Sequence, residues 1–246
     1  MATSSFNKNK AEATPVTSSE VPATATVTNE STTVAVVNPA TVGKVQGYID
    51  RSDMNIPSLK IVNGAGPVSE NFDKGAIVLS GEAQLSDGKT PIKLTVIAFR
   101  KFYIEKLNSS DYDEGKRPRR FDTPEEVRQA GGHLEWINDE PPPFQSAADA
   151  TVIIESDTEH PLFPFEHGGK HYALAVWEIR GSAYSRAGKT IATAGAYSLR
   201  DGLQFGSWTL ASKLEKLGKY TVAVPVLKAG PKNDAEKAAF FVSLLA

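Results

Sequence analysis

At 246 residues, with 40% hydrophobic side chains and no cysteine, the chain can bury one core of ordinary domain size. It cannot build a disulfide framework, a thiolate metal site, an iron–sulfur cluster or a cysteine nucleophile. The formal net charge of −2 argues against a polyanion partner only until the charges are followed along the chain.

Lys89 to Arg120 carries nine Lys/Arg against four Asp/Glu, and Lys170 to Lys228 nine against three. Between them, Phe121 to Gly169 carries eleven acidic residues and one basic, Arg128. Two basic, β-rich blocks thus flank an acidic one.

Residues 1–46 are dominated by Thr, Ser, Ala and Val, with no aromatic after Phe6 and no helical period, which predicts a disordered tail. Met1–Lys8 has no apolar h-region, and no run of about eighteen apolar residues occurs in the chain. With the absence of cysteine, this predicts a cytoplasmic protein that is neither secreted nor membrane-spanning. A β-rich binding domain is expected over 47–246.

Ile56–Val62 alternates as a first strand and ends at the turn Asn63-Gly64-Ala65-Gly66-Pro67. A strand at Gly75–Ser80 and the loop Ser86–Lys89 follow. The clearest strand is Ile92–Lys106, too long to stay flat and expected to bend or bulge near Ala98. Residues 107–150 form an acidic, irregular insertion. Within it, Thr123-Pro124-Glu125-Glu126 opens a short helix as a capping box and Gly131 ends it.

The sheet resumes at Thr151–Glu155 and Tyr172–Arg180, and closes with a hairpin of Ser207–Ser212 and Tyr220–Leu227. A final helix over Asp234–Leu245 has an apolar face to pack on the sheet or on a partner. The fold expected is mainly β: an OB-like Greek-key barrel with a helix-containing acidic insertion and a C-terminal helix. A two-sheet β-sandwich is the alternative.

Catalytic motifs are weak. Ala187-Gly188-Lys189-Thr190 ends like a phosphate-binding loop, but Ala183 stands where that loop needs glycine, so the tetrapeptide reads as a β-turn with a solvated lysine. His160, His167 and His171 lie beside Glu159 and Glu166, yet His167-Gly168-Gly169-Lys170-His171 is a glycine turn that would hold metal ligands poorly. No nucleophile elbow occurs, and Glu125-Glu126 and Asp139-Glu140 read as a helix first turn and a solvated loop. The expectation is a non-enzymatic protein with no cofactor and no metal.

Basic, aromatic strands point elsewhere. Binding a single nucleic-acid strand requires cations that follow the phosphates and ring faces on which bases stack. Candidates in the first basic block are Lys93, Lys101, Tyr103, Lys106, Lys116, Arg117, Arg119 and Arg120. In the second they are Arg180, Tyr184, Arg186, Lys189, Trp208, Lys213, Lys216, Lys219 and Tyr220. Stacking is assigned to Tyr103, Tyr184, Tyr220 and Trp208, although Trp177 and Trp208 are large enough to belong first to the core.

Ile56–Asn63, the Gly75–Gly81 strand, the long Phe/Tyr strand and the late Trp-Thr-Leu…Gly-Lys-Tyr hairpin together resemble small replication-region proteins of tailed phages, some of them single-stranded DNA-binding proteins. The similarity spans most of 56–228. It implies an OB-type fold and a sequence-tolerant coat on single-stranded DNA during replication or recombination in a bacterial host. Further partners under this resemblance are a second copy of the chain, or a replication or recombination protein reaching the acidic insertion or the C-terminal helix. The family's flexible acidic tail is missing, and the acidic cluster is internal instead. The rival expectation is a structural or adaptor protein, such as a virion component, that assembles through its C-terminal helix.

Overall fold

Short strands open the domain in the structure, a computed structural model that describes residues 56–64, 67–108, 110–111, 114–218 and 220–245. The expected tail, its boundary near residue 47 and Lys219 lie outside the described residues. Strand β1 (Ser58–Ile61), one helical turn α1 (Val68–Asn71), β2 (Ile77–Leu79) and β3 (Ala83–Ser86) form an antiparallel meander.

The longest strand, β4 (Ile92–Glu105), changes register between Val96 and Ala98, the bulge expected there. The insertion contributes β5 (Arg120–Phe121) and α2 (Pro124–Gln129). Thr123 Oγ1 accepts from the Glu126 amide at 3.2 Å, and Glu126 Oε2 accepts from the Asp122 amide at 2.9 Å. The first is the capping bond its sequence predicts; the second reaches one residue further back than the N-cap amide that a capping box uses.

Next come β6 (Phe144–Ser156), β7 (Phe165–His167) and β8 (Lys170–Arg180). A helical segment over 181–197 passes through a π turn at Tyr184–Gly188 into α3 (Lys189–Tyr197). The hairpin of β9 (Ser207–Leu217) and β10 (Tyr220–Ala229) and the final helix α4 (Ala235–Ser243) complete the domain.

Among the described residues all ten strands join one sheet whose main path runs β10-β9-β4-β6-β8-β1-β2-β3, with β5 on β4 and β7 on β8. The pairings are antiparallel except β1 with β8. With 42% strand and 22% helix among the described residues, the domain is mainly β, and its sheet curls strongly into a half-barrel. It is one sheet, not a two-sheet sandwich.

Period-2 alternation fills the inside of the curl. Val152 and Ile154 of β6, Ala175, Trp177 and Ile179 of β8, Leu94 and Val96 of β4, and Trp208 and Leu210 of β9 are buried together. Tyr184, Ala187 and Ile191 of the helical segment enter the same core. On another part of the sheet, Phe241 of α4 packs with Ile153 and Tyr172.

Side chains and loops tie the β9–β10 hairpin to the β1–β3 end of the curl. The Ala223 amide donates to Asn63 Oδ1 at 2.7 Å, the Ser212 amide to the Gly88 carbonyl at 2.7 Å, and Ser212 Oγ to the Gly75 carbonyl at 2.5 Å. Lys74 Nζ adds a bond to the Thr221 carbonyl. These bonds satisfy edge groups that an open sheet would leave bare.

Candidate nucleic-acid interface

Segregated charge along the chain becomes neighbouring charge in the sheet. Acidic β6 lies between basic β4 and β8, so oppositely charged residues face one another across strands. Lys93 and Glu155 are Cα partners joined at 3.4 Å, while Arg100, Asp149 and Glu178 occupy one row across the three strands.

Most proposed phosphate-binding cations therefore already hold acidic partners. Arg119 donates to both carboxylate oxygens of Glu105, at 3.0 and 2.8 Å. Arg120 reaches Asp149 at 3.4 Å and Glu178 at 2.5 Å, and Arg180 pairs with the same Glu178. Lys116 is held by Asp111 at 2.9 Å and Glu114 at 3.0 Å. Such exposed pairs contribute roughly 0–1 kcal/mol each, but they cancel the field that would attract phosphates.

Lys101 and Lys106 have neutral partners. Lys106 Nζ donates to the Pro142 carbonyl at 2.8 Å. The Lys101 ammonium lies 4.9 Å from the Tyr103 ring centroid, and the Tyr103 hydroxyl beside it holds its pKa above the usual lysine value. Arg117, Lys189 and Lys216 are exposed and have no acidic partner among the described residues.

Three of the four stacking assignments need correction. Tyr103 is 7% exposed, Tyr184 8% and Trp208 3%, too little for a base to lie on any of them. Alternation places Tyr103 on the solvent side of β4 only if nothing covers that side. The insertion does cover it, since Val127 of α2 and Phe144 pack on the ring. Tyr184 and Trp208 belong to the main core, as does Trp177. Tyr220, at 64% exposed, is the one presented to solvent.

The two basic blocks meet in places. Arg120 and Arg180 share Glu178. Arg186 joins Glu215 at 2.6 Å, with Lys213 on the same carboxylate at 3.9 Å, so the helical segment is pinned to the outer part of the β9–β10 hairpin. There β9 has left β4, because their pairing covers only Ile92–Thr95 with Ser207–Leu210. Lys213, Leu214, Lys216, Leu217 and Tyr220 are all exposed on this outer part of the hairpin, the β9–β10 arm.

Sequence reading missed a second exposed ring. Gly188-Lys189-Thr190 is not a β-turn: it continues the π turn into α3. Three glycines and several Ser/Thr give 181–197 poor helix propensity, and core packing of Tyr184, Ala187 and Ile191 overrides it. A Cβ on Gly188 would lie 2.6 Å from the Tyr184 ring, so this close helical turn requires glycine. Once the helix exists, Lys189, Thr193 and Tyr197 recur at four-residue spacing along one face. Tyr197 is 74% exposed. Only that spacing, tested on a segment with weak propensity, could have revealed it.

The histidines do other work. His160 Nδ1 accepts from the Leu162 amide at 3.1 Å, and His167 stacks on Phe240 with centroids 4.5 Å apart. Among the described residues no group of three His, Asp or Glu side chains converges to hold a metal ion, and no helix is long and apolar enough to cross a membrane. No known family, no curated protein and no solved structure matches the chain.

Proposed function

We propose that the protein binds single-stranded DNA without catalysis, along a surface formed by the β9–β10 arm and the outer face of α3. The observation that carries this reading is that exposed rings and cations with no acidic partner among the described residues occur on the same elements: Tyr197 in line with Lys189 on α3, and Tyr220 and Lys216 near the tip of the arm, on opposite faces of its hairpin by the register of Tyr220 with Leu217 and Thr221 with Lys216. A ring can stack on any base, and a lysine neutralises phosphate regardless of sequence, so this combination is sequence-tolerant. Strand β4, the richest candidate in the sequence, is not part of this surface.

The test is a salt titration of full-chain binding to labelled oligo-dT beside duplex DNA. Release of counterions by about three lysine–phosphate contacts gives a log–log slope near −2 for a single strand. Preference for oligo-dT with such a slope supports the reading. Equal affinity for duplex, or no binding at low salt, removes it.

A second reading, an adaptor, is favoured by one observation. Trp136 and Ile137 stand exposed in the insertion between Glu135 and Asp139, and an apolar pair ringed by carboxylates suits docking to a basic protein surface.

A further inference from the structure

The face of the arm that carries Tyr220 has its own cations, gathered on one carboxylate. Side chains alternate along β9, so Lys213, Glu215 and Leu217 share a face of the hairpin. The register of Tyr220 with Leu217 puts the exposed Tyr220 ring on that face as well. The helical segment meets it there: Arg186 donates to Glu215 Oε1 at 2.6 Å, and Lys213 Nζ lies 3.9 Å from Oε2. Arg186 is tied in turn to the start of α3, since the Thr190 hydroxyl donates to its carbonyl at 2.7 Å. The cluster therefore joins the two ring-bearing elements, the arm with Tyr220 and α3 with Tyr197.

Two cations from different elements converging on one oxyanion is an arrangement that also suits a backbone phosphate. Glu215 fills that place with a carboxylate of the chain's own. The hold is partial. Arg186 uses one of its five N–H donors in the bond, and the others have no acceptor among the described residues. Arg186 and Lys213 both keep about half of their side-chain surface in solvent. Half-exposed pairs of this kind contribute little to folding, so a phosphate that takes over the cations displaces little of value and releases a counterion.

We infer that Arg186 and Lys213 form a phosphate-binding position on the path of the bound strand, and that Glu215 competes with the phosphate for it and so holds the affinity down. The inference rests on the single-strand reading and deepens it, because it supplies cations on the face of Tyr220, which Lys216 does not share.

Oligo-dT titrations of the full chain across a range of salt concentrations test it. Glu215→Gln keeps the size of the side chain and removes its charge; should it fail to fold, Glu215→Thr, suited to a strand, repeats the test. Either variant should bind oligo-dT about three- to tenfold more tightly at low salt and steepen the log–log slope by about 0.7, the value of one more phosphate contact. Adding Arg186→Gln to that variant should abolish both gains. Glu125→Gln, which removes an exposed carboxylate paired with Arg128 in the insertion, should change neither quantity.

Wild-type protein that binds oligo-dT while the Glu215 variants bind no more tightly overturns the inference and leaves the single-strand reading standing. Equal tightening by Glu125→Gln, or a gain that survives Arg186→Gln, also overturns it, because either result traces the effect to net charge instead of this position. A wild-type chain that binds no oligo-dT at low salt removes the single-strand reading and the inference with it.

Discussion

Gly88→Ala should be the most damaging single methyl that can be added to this protein. Gly88 is buried with φ +87°, and a Cβ there would lie 2.1 Å from the Gly75 carbonyl oxygen and 2.3 Å from Ser212 Oγ. The carbonyl is backbone, so relief requires the β3–β4 loop to move away from the Gly75 turn before β2 and from Ser212 of β9. That movement breaks the Ser212 amide bond to the Gly88 carbonyl and disturbs the Ser212 Oγ bond to the Gly75 carbonyl.

An alanine forced to positive φ costs about 1–3 kcal/mol, and two net hydrogen bonds add about 2 kcal/mol, for a loss of roughly 3–5 kcal/mol. Against a typical domain stability of about 5–15 kcal/mol this is large. Gly115→Ala isolates the conformational part, because Gly115 has φ +73° but nothing within 4 Å of the added methyl; its cost is about 1–2 kcal/mol. Urea unfolding followed by tryptophan fluorescence measures both. Equal midpoint shifts for the two variants would refute the proposed role of this contact in closing the curl.

Other predictions concern the same scaffold. Asn63→Ala leaves the Ala223 amide without its acceptor and should cost about 1–3 kcal/mol in the same urea assay. Phe241→Ala removes the main buried ring of α4 and should cost about 3–5 kcal/mol, with early loss of amide protection in α4 by hydrogen exchange. Glu105 is held below its ordinary value of 4.5, first by the hydrogen bond from the Arg119 side chain, against partial burial, and also by the Arg119 amide. Its contribution is therefore fully present above 4.5 and is lost as pH falls through the lower folded value. Glu105→Gln should lower stability at neutral pH and flatten its decline on the acid side, as read by urea midpoints across that range.

Much of the scaffold was legible because it is set by local chemistry. The bulge near Ala98 follows from the length of one β run, α2 from a capping box, the last hairpin from Gly218, and α4 from its apolar face; the Asp234 cap, whose Oδ1 accepts from the Lys237 amide at 2.7 Å, appears only in the fold. What escaped the sequence depends on which strands become neighbours. Composition shows that Lys93 and Arg120 lie in basic blocks, but only sheet order brings Glu155, Asp149 and Glu178 beside them. Likewise, alternation along β4 cannot reveal that α2 will cover Tyr103. The helical 181–197 segment escaped because tertiary packing, not propensity, stabilises it.

Comparison of two sets of surface variants for oligo-dT affinity at low salt bears most directly on where the strand lies. One set, Lys189→Gln, Lys216→Gln and Tyr220→Ala, strips the arm and α3. The other, Lys93→Gln and Lys116→Gln, removes lysines of the first basic block whose charges are already paired. The first set should weaken binding at least tenfold and lower the salt slope by about 1 to 1.5; the second should leave both within twofold. The opposite pattern would return the binding surface to β4 and its insertion and contradict the assignment made from the folded chain.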